Sequence, residues 1–218
     1  LSAVQSIRMS ANGAIPVEWC LDGRELTEPR VSPLGTEVAF GVRWHGAAAI
    51  ALVPLDGGAE RLLTTSPAPA TGRGFAGGCF DWLPDGSAIV YVAADGELWL
   101  QPLDAGPRQL TTFERSCRAP RVAPDASYLV VAIDESEIWR VPLVSEAASD
   151  STRLDDGADA FCFDPDVAAD SLTVAWTAWN PPSMPWDEAH LVTTRVGSQP
   201  MLCERRHGHG GSVQQPRW

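Results

Sequence analysis

Four stretches of this chain hold residue types that could do chemistry. His207-Gly-His209-Gly-Gly-Ser212 offers two imidazoles at i and i+2 and a run of glycines. Imidazoles ligate zinc, and glycine-rich loops present backbone N–H groups to an oxyanion. Zinc needs further ligands, and an oxyanion loop needs a nucleophile. Neither stands nearby, so a turn between sheets fits the stretch better and no metal is expected. Asp155, Asp156, Asp159, Asp164 and Asp166 form an acidic cluster. It could surround calcium or supply a carboxylate pair for glycoside hydrolysis. It lacks the regular alternation of a calcium loop, nothing singles out a pair, and a solvated loop is expected. Met184-Pro185-Trp186-Asp187 could touch a substrate, or could plug the structure with Trp186 buried and Asp187 capping a turn. Arg73 could bind a peptide carboxylate or acyl group, a plain surface arginine being the alternative. No GxSxG elbow accompanies any of them. The sequence therefore names no catalytic residue and implies no cofactor.

Composition narrows the partners. The 218 residues carry 28 acidic and 16 basic side chains, a formal net charge of −12, and every basic residue is Arg. Nucleic-acid affinity needs clustered positive charge. Arg115, Arg118 and Arg121 come nearest to a cluster, and Glu114 and Asp125 dilute it. Nucleic acid is not an expected partner. No apolar run approaches the ~18–20 residues that span a bilayer, so no membrane is expected either. Cys20, Cys79, Cys117, Cys162 and Cys203 are odd in number and contain no CxxC pair. That pattern reads as reduced thiols in a cytoplasmic protein, an exported form with isolated disulfides being the alternative.

What would position these residues is a repeat. An aromatic or branched residue, Pro, a turn and an alternating apolar run recur in Glu28–Phe40, Cys79–Tyr91, Ala119–Val131 and, more degenerately, Phe161–Trp176. A fifth copy opens with Gln214-Gln215-Pro216-Arg217-Trp218. Aligned on Pro33, Pro84, Pro124 and Pro165, the copies lie 51, 40 and 41 residues apart. That is the length of one four-stranded propeller blade. Pro-Asp-Gly and its variants supply the fixed φ and left-handed position of a tight turn. A second element ends in Pro-Leu at Pro54, Pro102 and Pro142, where a strand tolerates a missing N–H. Trp99 and Trp139 occupy equivalent places, as do Trp82 and Trp218. The expected fold is all-β: a partial β-propeller over 28–218 with blades near 28–65, 79–112, 119–154 and 161–196, and a fifth starting near 212. Residues 1–27 read as an entry segment or a partial closing blade.

Two stretches carry a family resemblance. Thr173–Val196 resembles a propeller segment of acylaminoacyl-peptidase-like members of the prolyl-oligopeptidase family. Trp179, Pro182, Met184, Pro185, Trp186 and Asp187 match it, with Asn180 where Asp is commoner. Gly72–Trp82 is similar to a Gly-rich segment that opens a blade in the same group, with Gly74 and Phe75 where an acid and Tyr are usual. The blade motif is also shared with TolB-type propellers.

The resemblance to the peptidases implies a seven-bladed ring over an α/β-hydrolase domain of the same polypeptide. That ring would admit short peptides to a Ser-Asp-His triad lying outside these residues. An open half-ring would expose strand edges, so the expectation is part of a longer polypeptide or a piece that pairs with another; an oligomer is compatible with it. The TolB resemblance implies a protein-binding propeller with no enzymatic activity. Arg73, Met184, Trp186 and Asp187 are the expected substrate contacts.

Overall fold

The computed structural model describes residues 23–72, 78–143, 150–197, 202–207 and 212–218. They form four antiparallel four-stranded sheets, each in chain order. The first holds β1 (Glu25–Val31), β2 (Glu37–Trp44), β3 (Ala47–Pro54) and β4 (Arg61–Thr64). The second holds β5 (Phe80–Trp82), β6 (Ala88–Val92), β7 (Leu98–Pro102) and β8 (Arg108–Gln109). The third holds β9 (Cys117–Val122), β10 (Tyr128–Ile133), β11 (Glu137–Pro142) and β12 (Thr152–Arg153). The fourth holds β13 (Phe161–Val167), β14 (Thr173–Trp179), β15 (His190–Arg195) and β16 (Glu204–His207). One helical turn, α1 (Pro185–Glu188), interrupts the β14–β15 connection.

The continuous burial of β6 and β10 follows from stacking. Successive side chains on a strand point to opposite faces, and a strand covered on both faces reads as an unbroken apolar run. In β6, Ile89 and Tyr91 join Ile50 and Leu52 of the first sheet. Val90 and Val92 turn the other way, towards Leu129, Val131 and Ile133 of the third. In β10, Tyr128, Val130 and Ala132 then pack on Val174 and Trp176 of the fourth sheet.

The turn after each first strand shows why the repeat exists. The residues at its left-handed position are Gly35, Gly86, Ala126 and Ser171, with φ of 68°, 73°, 58° and 54°. Asp85 and Asp125 close their turns by accepting bonds from the backbone and hydroxyl of Ser87 and Ser127. Asp170 does the same for Leu172 and Thr173. The fourth counterpart of Pro33, Pro84 and Pro124 is therefore Ala169, and the spacings are 51, 40 and 45 residues. Alignment on Pro165 is thus corrected by four positions.

Pro165 belongs to a different repeated device. It lies inside β13, where the pairing with β14 shifts between Phe163 and Asp166. Matching shifts fall at Glu28-Pro29 in β1 and Ala119-Pro120 in β9. The residue before each proline has positive φ: Glu28 54°, Ala119 50°, Asp164 47°. A proline lacks the N–H of a ladder bond and is tolerated where a bulge interrupts the ladder. Gln215, before Pro216, has the same sign, at 54°.

Neighbouring sheets are also joined through backbone. Cys117 N donates to Gly96 O and Cys162 N to Glu135 O, both at 2.9 Å. Val213 N donates to Ala189 O at 3.1 Å. Cys117, Cys162 and Val213 each stand two residues before a positive-φ position. Residues 212–218 thus repeat the contacts with which β9 and β13 begin.

Candidate functional site

One position of each first strand, with its counterpart in residues 212–218, falls into a row, and in β1, β9 and β13 it follows a bulge. Arg30, Asp81, Arg121, Asp166 and Arg217 occupy equivalent places, two residues after Glu28, Cys79, Ala119, Asp164 and Gln215. Their charges alternate. Asp81 Oδ1 lies 3.4 Å from Arg30 Nη1 and 3.5 Å from Arg121 Nη1. Asp166 Oδ1 lies 3.6 Å from Arg121 Nε, and Arg217 Nη2 is 3.4 Å from Asp164. The Asp81 carboxylate is fixed sideways by backbone: its Oδ2 accepts from Val122 N at 3.0 Å, and the Val167 and Trp218 amides act on the Asp166 carboxyl to lower its pKa.

Arg30, Asp81, Arg121 and Asp166 are largely buried, and Arg217 is partly exposed. Burial lowers the Arg30 pKa against the pull of Asp81, and the charges of Arg121 and Arg217 lower it further. Burial raises the Asp166 carboxyl, opposed by Arg121 and Arg217.

The expected contacts Met184, Trp186 and Asp187 lie in the β14–β15 connection. Met184 precedes α1 and is 40% exposed, and Trp186 is 53% exposed. The plug alternative, with Trp186 buried, does not hold. Asp187 is exposed, and no side-chain bond caps the turn; the Asp187 and Glu188 amides donate to Met184 O at 2.9 and 3.2 Å. Ser212 Oγ and Gln214 Nε2 donate to Pro185 O, tying α1 to the last described segment. Arg73 lies outside the described residues, as do residues 208–211 of the glycine-rich stretch; His207 ends β16.

The acidic cluster is a set of paired carboxylates, which corrects the expectation of a solvated loop. Asp155 is buried, 2.6 Å from Arg153 Nη2, and accepts from Ile138 N at 2.8 Å. Asp156 and Asp159 share Arg205, and Asp159 Oδ1 is also 3.1 Å from His190 Nε2. Asp164 and Asp166 belong to the row above. Among the described residues no group of His, Cys, Asp and Glu has the arrangement of a metal site.

The row escaped the sequence reading because each member, alone, is an ordinary arginine or aspartate. The signal that finds four of its five members is the recurrence of Pro-Arg-Val, Pro-Asp-Val and Pro-Arg-Trp after the bulge residue; Asp81 follows Phe80 instead.

No protein-family model matches the chain, and no curated protein sequence does. Solved structures do. A puromycin-hydrolysing peptidase of Mycobacterium tuberculosis superposes with a TM-score of 0.71 at 21% identity, over 88% of this chain and 32% of that one. A puromycin hydrolase gives 0.65 at 24%, over 85% and 32%. A protein described as TolB from Agrobacterium tumefaciens gives 0.62 at 21%, over 84% and 65%. The fold is a β-propeller. The four sheets are stacked around the propeller's axis, and the alternating row lines that axis. The chain spans about a third of the length of the two puromycin hydrolases.

Proposed function

We propose that this chain is the propeller portion of a serine peptidase of the prolyl-oligopeptidase type. Each sheet acts as a blade, with a fifth blade opening near residue 212. It performs no chemistry itself and selects short peptides for a separate α/β-hydrolase domain of the same polypeptide. The observation that carries this reading is the superposition on about a third of two puromycin hydrolases, combined with the absence of a nucleophile elbow from the sequence. Met184 and Trp186 support it, because they expose apolar surface on one end of the propeller.

The axis supports selection by size, since five charged side chains converge there. We also place the protein in the cytoplasm. Cys79, Cys117, Cys162 and Cys203 are free thiols, and burial drives the Cys117 thiol up to about 12, far from the reactive range.

The test is hydrolysis of peptide p-nitroanilides by the 218-residue chain and by the product of its whole reading frame. The chain alone is inert and the larger product active. A second reading, a TolB-like protein-binding propeller, is favoured by the 65% coverage of that structure. It predicts a whole-frame product with no hydrolysis.

A further inference from the structure

Arg30 and Arg121 of the axial row differ from Arg115, Arg153 and Arg205 in how little of their hydrogen-bonding capacity they use. A guanidinium carries five N–H donors. Arg115 reaches Asp134 and Glu137 at 2.7 and 2.8 Å. Arg153 makes three bonds to Asp155 at 2.6 to 3.0 Å and one to Glu137. Arg205 makes three bonds of 2.5 to 3.0 Å to Asp156 and Asp159.

At the axis, Arg30 donates one bond of 3.4 Å. Arg121 has two ionic contacts, at 3.5 and 3.6 Å, and no hydrogen bond among the described residues. Arg217 reaches Asp164 at 3.4 Å and also donates through Nη1 to Pro216 O. Yet these side chains are held in place. Those of Arg30 and Arg121 are 22% and 14% exposed, and the Arg30 guanidinium lies 5.5 Å above the Phe80 ring.

Positioned guanidinium groups with unspent donors match a planar oxyanion, which they engage in forked, charge-assisted pairs. Asp81 gives its Oδ2 to the Val122 amide, and the Oδ1 atoms of Asp81 and Asp166 approach Arg30 and Arg121 only at 3.4 to 3.6 Å, which leaves most of the arginine donors to a guest. We propose that Arg30 and Arg121, with Arg217 beside them, bind a carboxylate group at the axis of the propeller. The group is a peptide C-terminus or an acidic side chain. The inference stands on the arginine geometry and holds whether or not the peptidase reading does.

The experiment follows the arginine Nε–Hε signals of the 15N-labelled protein during titration with sodium acetate. Sodium chloride at equal ionic strength is the control. Acetylated trialanine with a free C-terminus, its C-terminal amide, and an amidated acetyl-Ala-Asp-Ala are then added in turn. The proposal expects the Arg30 and Arg121 signals to move with acetate and not with chloride. At least one peptide carrying a carboxylate should bind in roughly the millimolar range, and which one does so names the source of the group. Arg121→Gln and Arg30→Gln should each weaken binding about tenfold or more. Arg43→Gln, at an exposed pair, should leave it unchanged. Should Arg121→Gln lose spectral dispersion, Arg30→Gln decides. Equal shifts with chloride, binding of the uncharged trialanine amide as strong as that of the acids, or undiminished binding in a folded axial variant would overturn the proposal.

Discussion

Asp81 and Val122 belong to neighbouring blades, and the Asp81 carboxylate accepts the Val122 amide hydrogen at 3.0 Å while facing Arg30 and Arg121 with its other oxygen. One side chain thus couples three consecutive inner strands. A part-buried hydrogen bond to a charged group contributes about 1.5–3 kcal/mol. Asp81→Ala should therefore lower stability by about 2 kcal/mol, read as a fall in the urea midpoint at unchanged slope. Asp81→Asn keeps an acceptor for Val122 and should cost less. Equal stability of Asp81→Ala and the parent would contradict the coupling.

Ala126 sits at φ 58° where the first two blades have Gly35 and Gly86. A non-glycine residue is strained there by about 1–2 kcal/mol, and glycine in an unfolded chain returns part of that in entropy. Ala126→Gly should stabilise the protein by about 0.5–1 kcal/mol. A drop in melting temperature would show that the turn is held by other means.

The fold could be read from the sequence because turn chemistry and strand alternation are local. Pro84-Asp85-Gly86 and the run Ala88–Val92 declare a turn and a doubly covered strand without knowledge of the neighbours. The fourth copy was harder. Ala169 replaces the turn proline, while Pro165 offers a false landmark inside β13. The exposure of Trp186 was open in the sequence, since nothing local distinguishes a packed indole from a presented one. The axial row was further out of reach. Arg30, Asp81 and Arg121 are 51 and 40 residues apart, and only the packing of consecutive blades brings them together.

Acid should destabilise the propeller. Hydrogen bonds from Arg115 lower Asp134 and Glu137, and those from Arg205 lower Asp156. A carboxyl depressed in the folded state contributes stability that is present above its unfolded pKa and is lost as pH falls through the folded value. Asp166, raised by burial, has the opposite sign: its contribution is present below the unfolded pKa and is lost as pH rises through the folded value. With Asp85, Asp125 and Asp170 also depressed by bonds within their turns, six lowered carboxyls stand against one raised, so the urea midpoint should fall below about pH 4. Asp134→Asn combined with Asp156→Asn should flatten that decline. A midpoint that rises on acidification would contradict the pairing.

Trp186 is exposed on α1. On the proposed function, Trp186→Ala leaves chain stability within about 0.5 kcal/mol, as for a surface substitution. In the whole-frame product it raises KM for peptides and spares kcat. An unchanged KM would remove Trp186 from the substrate path.

The most direct measurement is fluorophosphonate labelling of the whole-frame product, with the modified serine mapped by mass spectrometry. A non-catalytic propeller serving a separate hydrolase domain predicts one adduct, on a serine outside residues 1–218. An adduct on a serine of this chain, or no adduct anywhere in the product, would contradict it.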